Sequence, residues 1–204
     1  MSERGMSSYI SFKIVLLTLA TLIPPLGCHS ARPPLSQGRD LEARDEFGNT
    51  PLMRAVRDSD IPAVTALLDA GANVEVRADG GMTPLIRAAA IGNSKVAALL
   101  LTKGARVDAR NDSGDTALMK AAYLGRSDVV KLLLDKGADM NAKDENGATA
   151  LMSAARNGHT ETLQILLNDG ADVNEKDNKG RTASMYAAEE RRTDIVQLLN
   201  QRAP

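Results

Sequence analysis

Every 33 residues the chain repeats Gly-x-Thr-(Pro/Ala), with Gly48, Gly81, Gly114, Gly147 and Gly180 opening successive units. Gly71, Gly104, Gly137 and Gly170, each followed by alanine, close them in the same register. A fixed period of this length describes a stack of modules, each touching its neighbours, rather than a chain wound around one central core. Such a solenoid offers a long surface to a partner; an enclosed catalytic pocket is not what it supplies by default.

The unit reads as two short helices. In the third copy Thr116 has a side-chain oxygen suited to capping a helix that runs through Ala117, Leu118, Ala121 and Ala122. In the first two copies Thr50-Pro51 and Thr83-Pro84 set proline at the first helical position, where its missing N–H costs nothing. A loop centred on Gly125 leads to a second helix from about Ser127, with Val129, Val130, Leu132, Leu133 and Leu134 as its apolar stripe. Asp135-Lys136-Gly137 stops that helix, and polar, turn-rich chain from Asp139 to Gly147 reaches out to the next unit. Two short helices cannot cover their own apolar face, so these side chains must be buried against the units on either side. The pairs Ala88-Ala89, Ala121-Ala122, Ala154-Ala155 and Ala187-Ala188 recur where adjacent first helices would touch, and their small side chains permit close stacking. With 2% aromatic residues and no tryptophan, alanine, leucine and valine must do the packing.

Thr116-Ala-Leu-Met-Lys-Ala-Ala, followed by Val129-Val-Lys-Leu-Leu-Leu-Asp-Lys-Gly-Ala-Asp-Met-Asn-Ala-Lys-Asp, resembles the ankyrin repeat, and the similarity covers about Asp45 to Gln201. The resemblance implies an all-α solenoid of about five helix-turn-helix repeats with projecting β-hairpin fingers, and a role in binding other macromolecules, mostly proteins, along a concave face. It divides the chain into repeats at 45–77, 78–110, 111–143, 144–176 and 177–204, the last serving also as a C-terminal cap. Residues 28–44 form a tether and an N-terminal cap finger, because Gly38 to Arg44 echoes the end of a repeat without its helices. Glu189-Glu190-Arg191-Arg192 replaces the glycine loop in the last unit. The family usually carries histidine after Thr-Pro-Leu, bonded to repeat backbones; here Met53, Ile86, Met119, Met152 and Met185 stand there. Apolar packing is therefore expected in place of a polar ladder between repeats. A soft-metal site built from these methionines fails on distance, since equivalent positions lie about 8–10 Å apart.

The first 27 residues differ in kind. Arg4 and Lys13 precede an uncharged run from Ile14 to Leu26 that ends in Pro24-Pro25-Leu26-Gly27-Cys28, the form of an export signal and too short for a membrane span. Gly27-Cys28 resembles the bacterial lipoprotein box, which implies acylation of Cys28 and a periplasmic, membrane-anchored protein. Pro25 departs from the leucine usual there. Ordinary cleavage, giving a soluble periplasmic or secreted protein, and an uncleaved signal anchor are the alternatives. A single cysteine excludes an internal disulfide, so stacking must hold the fold. From Cys28 onward 23 basic residues face 25 acidic ones, a net charge of −2 that gives no reason to expect nucleic acid.

Catalytic signatures are lacking. His29 and His159 have no nucleophile or metal partner at a recognisable spacing, and no phosphate-cradling loop, nucleophile elbow or Cys/His zinc cluster occurs. Asp45, Asp112, Asp144 and Asp177 recur at turns, where aspartate hydrogen-bonds backbone. No catalytic residue, cofactor or metal is expected, and the molecule is expected to be a monomer.

Function should lie on the surface. If the family geometry holds, Phe47, Met82, Ile91, Tyr123 and Leu124 face the groove as an apolar patch. Arg54, Arg87 and Lys120 share one register position where the family commonly has leucine, and Arg156 extends this basic stripe. Together they suggest a protein partner with an acidic surface and an apolar anchor. Arg77, Arg110, Lys143 and Lys176 recur at the fingers, where the family often has lysine followed by aspartate, and the resemblance implies a structural role for them. The favoured function is a non-enzymatic, envelope-tethered module that binds a partner protein in its groove, in its sharper form an inhibitor or immunity protein. A scaffold that assembles or protects an envelope enzyme is the alternative, and an enzyme is the reading these residues favour least.

Overall fold

A computed structural model describes residues 40–202 of the chain. The segment expected to be an export signal, Cys28 and His29 lie outside the described residues. Ten α-helices occur among those described, in five pairs: α1 (Pro51–Arg57) with α2 (Ile61–Asp69), α3 (Pro84–Ile91) with α4 (Ser94–Thr102), α5 (Ala117–Tyr123) with α6 (Ser127–Asp135), α7 (Ala150–Asn157) with α8 (Thr160–Asn168), and α9 (Ala183–Glu189) with α10 (Thr193–Asn200). None of them is long and apolar enough to cross a membrane.

Each first helix begins by the same device. Thr50, Thr83, Thr116, Thr149 and Thr182 are extended at the N-cap, and each hydroxyl accepts from the backbone N–H three residues on. Two of these helices carry their proline just inside the start. The first four second helices end where the chain turns left-handed: at Gly137 φ is +79°, and the Ala138 N–H returns to the Leu133 carbonyl at 3.0 Å.

First helices pack on first helices and second on second, so a continuous apolar core runs from Leu52 to Leu199. Ala88, Ala89, Ala121, Ala122, Ala154 and Ala155 are fully buried at these junctions, as are Val129, Val130 and Leu133. The last repeat departs from the pattern, since no further repeat packs on it among the described residues: Ala188 is exposed and Met185, expected to fill the core like its equivalents, is 52% exposed. Met53, Ile86, Met119 and Met152 are buried as expected.

The fingers are tight turns without strands among the described residues. Two backbone bonds close each: the N–H of Asp45, Ala78, Asn111, Asp144 or Asp177 donates to the carbonyl four residues on at 3.0 Å, and the N–H of the glycine three residues on returns to its carbonyl, a turn that is not extended into a ladder. Successive fingers join through single backbone bonds, such as Glu145 N–H to Ser113 O at 3.1 Å. Asp45, Asp144 and Asp177 accept from turn N–H groups as expected. In the third finger that role falls to Asn111, whereas Asp112 sits one residue off register and pairs with Arg77 at 2.9 Å.

Candidate functional site

A polar ladder does connect the repeats, contrary to the expectation from the methionines, but it runs along the fingers. Arg44 donates to Arg77 O, Arg77 to Arg110 O, Arg110 to Lys143 O, and Lys143 to Lys176 O, each 33 residues ahead. A second series runs beside it: Glu42, Glu75, Asp108 and Asn141 accept from the backbone N–H 31 residues on. Long cations at one register position satisfy carbonyls that the absent strand pairing leaves open. The structural reading of Arg77, Arg110 and Lys143 follows from these bonds.

The basic stripe proves to be a brace. Arg54 donates to Asn49 O at 3.1 Å and lies 3.7 Å from Asp45; Arg87 reaches the Asn49 side chain at 3.0 Å; Lys120 pairs with Asp115 at 2.8 Å. Each cation ties a first helix to the base of a finger. The same register position in the last repeat is Tyr186, whose hydroxyl donates to Asp177 at 2.7 Å. Burial, then repulsion from the nearby Arg57, lowers the pKa of Arg87, and its Nε is buried without an acceptor.

Asp177 is the most constrained of these groups. Its carboxylate accepts from the backbone N–H of Lys179 and Arg181, the Arg181 side chain and the Tyr186 hydroxyl. Burial alone would raise its pKa, but these four donors, the Arg181 N–H foremost, hold it well below the usual carboxylate range. Burial and the bond to Asp177 push the Tyr186 hydroxyl up to about 12. Arg181 stacks 4.2 Å from the Tyr186 ring centre, so the last finger is locked to α9.

One helical turn beyond the brace, the next register position holds Arg57, Ala90, Tyr123, Arg156 and Glu189. It faces outward: Tyr123 is 49% exposed, and Arg156 lies 3.7 Å from Glu190 between exposed side chains and 5.8 Å from the Tyr186 ring centre. Here the third, fourth and fifth repeats enclose a recess of about 390 Å³, lined by Lys120, Tyr123, Ser153, Arg156, Lys179, Arg181 and Tyr186 together with Asp115, Asp144 and Asp177. Among the expected groove residues it brings together Lys120, Tyr123 and Arg156. Phe47 stands apart on the first finger, 62% exposed, and Ile91 ends α3 at the surface. Leu124 is half-buried at the end of α5. Met82 is drawn inward, packing on Met53, Val76 and Ala78, because it follows the short 3-10 turn Asp79–Gly81.

Ser153, Lys179, Arg181 and Tyr186 escaped the sequence reading. Writing the repeats in columns would have aligned Ser153 and Tyr186 with Arg54; Lys179 and Arg181 enter only because the last finger folds over the first helices. His159 has a structural use: its Nε2 lies 3.0 Å from Tyr123 O, and since a carbonyl only accepts, that nitrogen carries the proton. Among the described residues no group of three His, Cys, Asp or Glu side chains could hold a metal.

Paired helices stacked at a fixed period, with turns projecting beside an open recess, define a helical repeat scaffold. The family model for ankyrin repeats (3 copies) matches residues 30–111, 52–144 and 118–203, and the chain belongs to that family. No curated protein matches it. Ankyrin repeats are generally protein–protein interaction modules.

Proposed function

We propose that this protein is a binding module tethered in the bacterial cell envelope, which grips a partner protein between its fingers and first helices and, in doing so, inhibits it. The recess spanning three repeats is the observation that carries the reading: it is open, mixed in polarity, and lined by an exposed tyrosine and arginine, residue types enriched where protein interfaces draw their energy. Envelope tethering rests on the basic start, apolar run and Gly27-Cys28 of the sequence.

The test is a photo-crosslinking residue placed at Tyr123 in cells, followed by mass spectrometry of captured protein. A partner that crosslinks at Tyr123 but not from the opposite face, at Lys131, is the expected result. The partner's activity, assayed with and without the module, should fall; unchanged activity would favour a scaffold. Acylation is checked by mass spectrometry of the membrane fraction, where Cys28 is expected as the lipid-bearing terminus.

A further inference from the structure

We infer that the recess of the third to fifth repeats is a carboxylate-binding site, and that its occupant is an acidic segment of the partner protein. This rests on the protein-binding reading above and narrows it to one chemistry. Four cations and three carboxylates line the recess, yet the two sets are not equivalent.

Each of the three carboxylates already holds at least two donors from the protein. Asp115 takes Lys120 and the Asn111 side chain, at 2.8 and 3.1 Å. Asp144 accepts the Asn146 and Ala148 N–H groups at 2.8 and 2.7 Å, and Asp177 is filled by four donors. Two cations are not consumed in this way. Lys179 has no side-chain partner among the described residues, and Arg156, 3.7 Å from Glu190 between exposed side chains and 5.8 Å from the Tyr186 ring centre, makes no side-chain hydrogen bond among them. The Ser153 hydroxyl, also on the lining, makes no hydrogen bond among the described residues. The recess therefore offers a visitor donors that nothing in the protein has taken, while every carboxylate on its lining already serves two or more donors. A cationic segment would find no free carboxylate there, whereas an acidic one meets a guanidinium able to bind its carboxylate bidentately, an ammonium and a hydroxyl. Tyr123, at the rim, supplies an apolar platform for a neighbouring side chain.

The test uses the full chain in non-ionic detergent and two fluorescein-labelled peptides, Glu-Glu-Leu-Glu-Glu and its Gln-Gln-Leu-Gln-Gln counterpart, read by anisotropy. The acidic peptide is expected to bind at least about tenfold more tightly than the neutral one, and to be released as salt rises to about 0.5 M. Arg156→Glu with Lys179→Glu should weaken it about tenfold or more, and Tyr123→Ala less, with the circular dichroism melt unchanged. Lys95→Glu, on the exposed side of α4, should leave it unaltered. Equal affinity for both peptides, no binding of either, or equal loss with Lys95→Glu would overturn the inference. A partner crosslinked at Tyr123 alongside any of these results would leave the binding module standing and remove only its acidic specificity.

Discussion

Asp177 shows how much one side chain can hold. Replacing it with alanine leaves two turn N–H groups and the hydroxyl of the buried Tyr186 without their acceptor, so a loss of about 2–3 kcal/mol is expected in urea titrations at pH 7. The pH dependence follows from the lowered pKa. Between the folded and unfolded values the unfolded chain binds the extra proton, so this contribution is complete above the unfolded value near 4 and disappears as pH falls towards the folded one. Asp177→Asn should flatten the acid limb of a stability–pH curve below about pH 4. Two further residues sit in left-handed backbone without being glycine: Ser59 at φ +56° and Arg191 at φ +57°, in the register of Gly92, Gly125 and Gly158. Ser59→Gly and Arg191→Gly should each stabilise by about 0.5–1 kcal/mol, read as a higher urea midpoint with unchanged slope. Gly125→Ala should do the reverse, because a Cβ there would lie 2.6 Å from the His159 ring as well as at positive φ.

At the scale of the element, the second helices begin in two ways. Asp60 and Asn93 cap their own helices, α2 and α4, from the position that Arg126, His159 and Arg192 occupy in later repeats. Those three make no cap bond; Arg126 donates to Ala90 O at 3.2 Å and His159 to Tyr123 O, so the same position joins one repeat to the one before. The helix itself is held chiefly by burial. Leu133 on α6 is fully enclosed, and Leu133→Ala should cost about 2–5 kcal/mol, measured by denaturant unfolding. Arg110→Ala removes one rung between exposed fingers, where water can replace the donor, and should cost no more than about 1 kcal/mol.

Across the whole stack, stability is a sum of units and the interfaces between them, and the end units have one interface fewer. Amide exchange should therefore be slowest in α5 and α6 and fastest in α1 and α10, which among the described residues have a neighbouring repeat on one side only. Uniform protection along the chain would mean that the repeats unfold as one block. Binding inherits the same geometry, since no single repeat forms the recess: Tyr123, Arg156 and Lys179 come from three successive units.

The period, both helices of each unit, their caps and the buried alanines and valines were legible because they depend on local spacing and on side chains too apolar to remain in water. Arg77, Arg110 and Lys143 were legible as structural for the same reason of register. Side-chain direction was not. That Arg54, Arg87 and Lys120 would turn back to the fingers, that Met82 would fold inward and Met185 stay out, and that Lys179 would be left unpaired beside Arg156, depends on how far each finger leans over the helices. Sequence by itself determined the stack and its interior, because burial acts on every unit alike. Only the tertiary structure decided which charges are spent within the protein and which remain for a partner, because that is settled by distances of a few ångströms between residues about 30 positions apart.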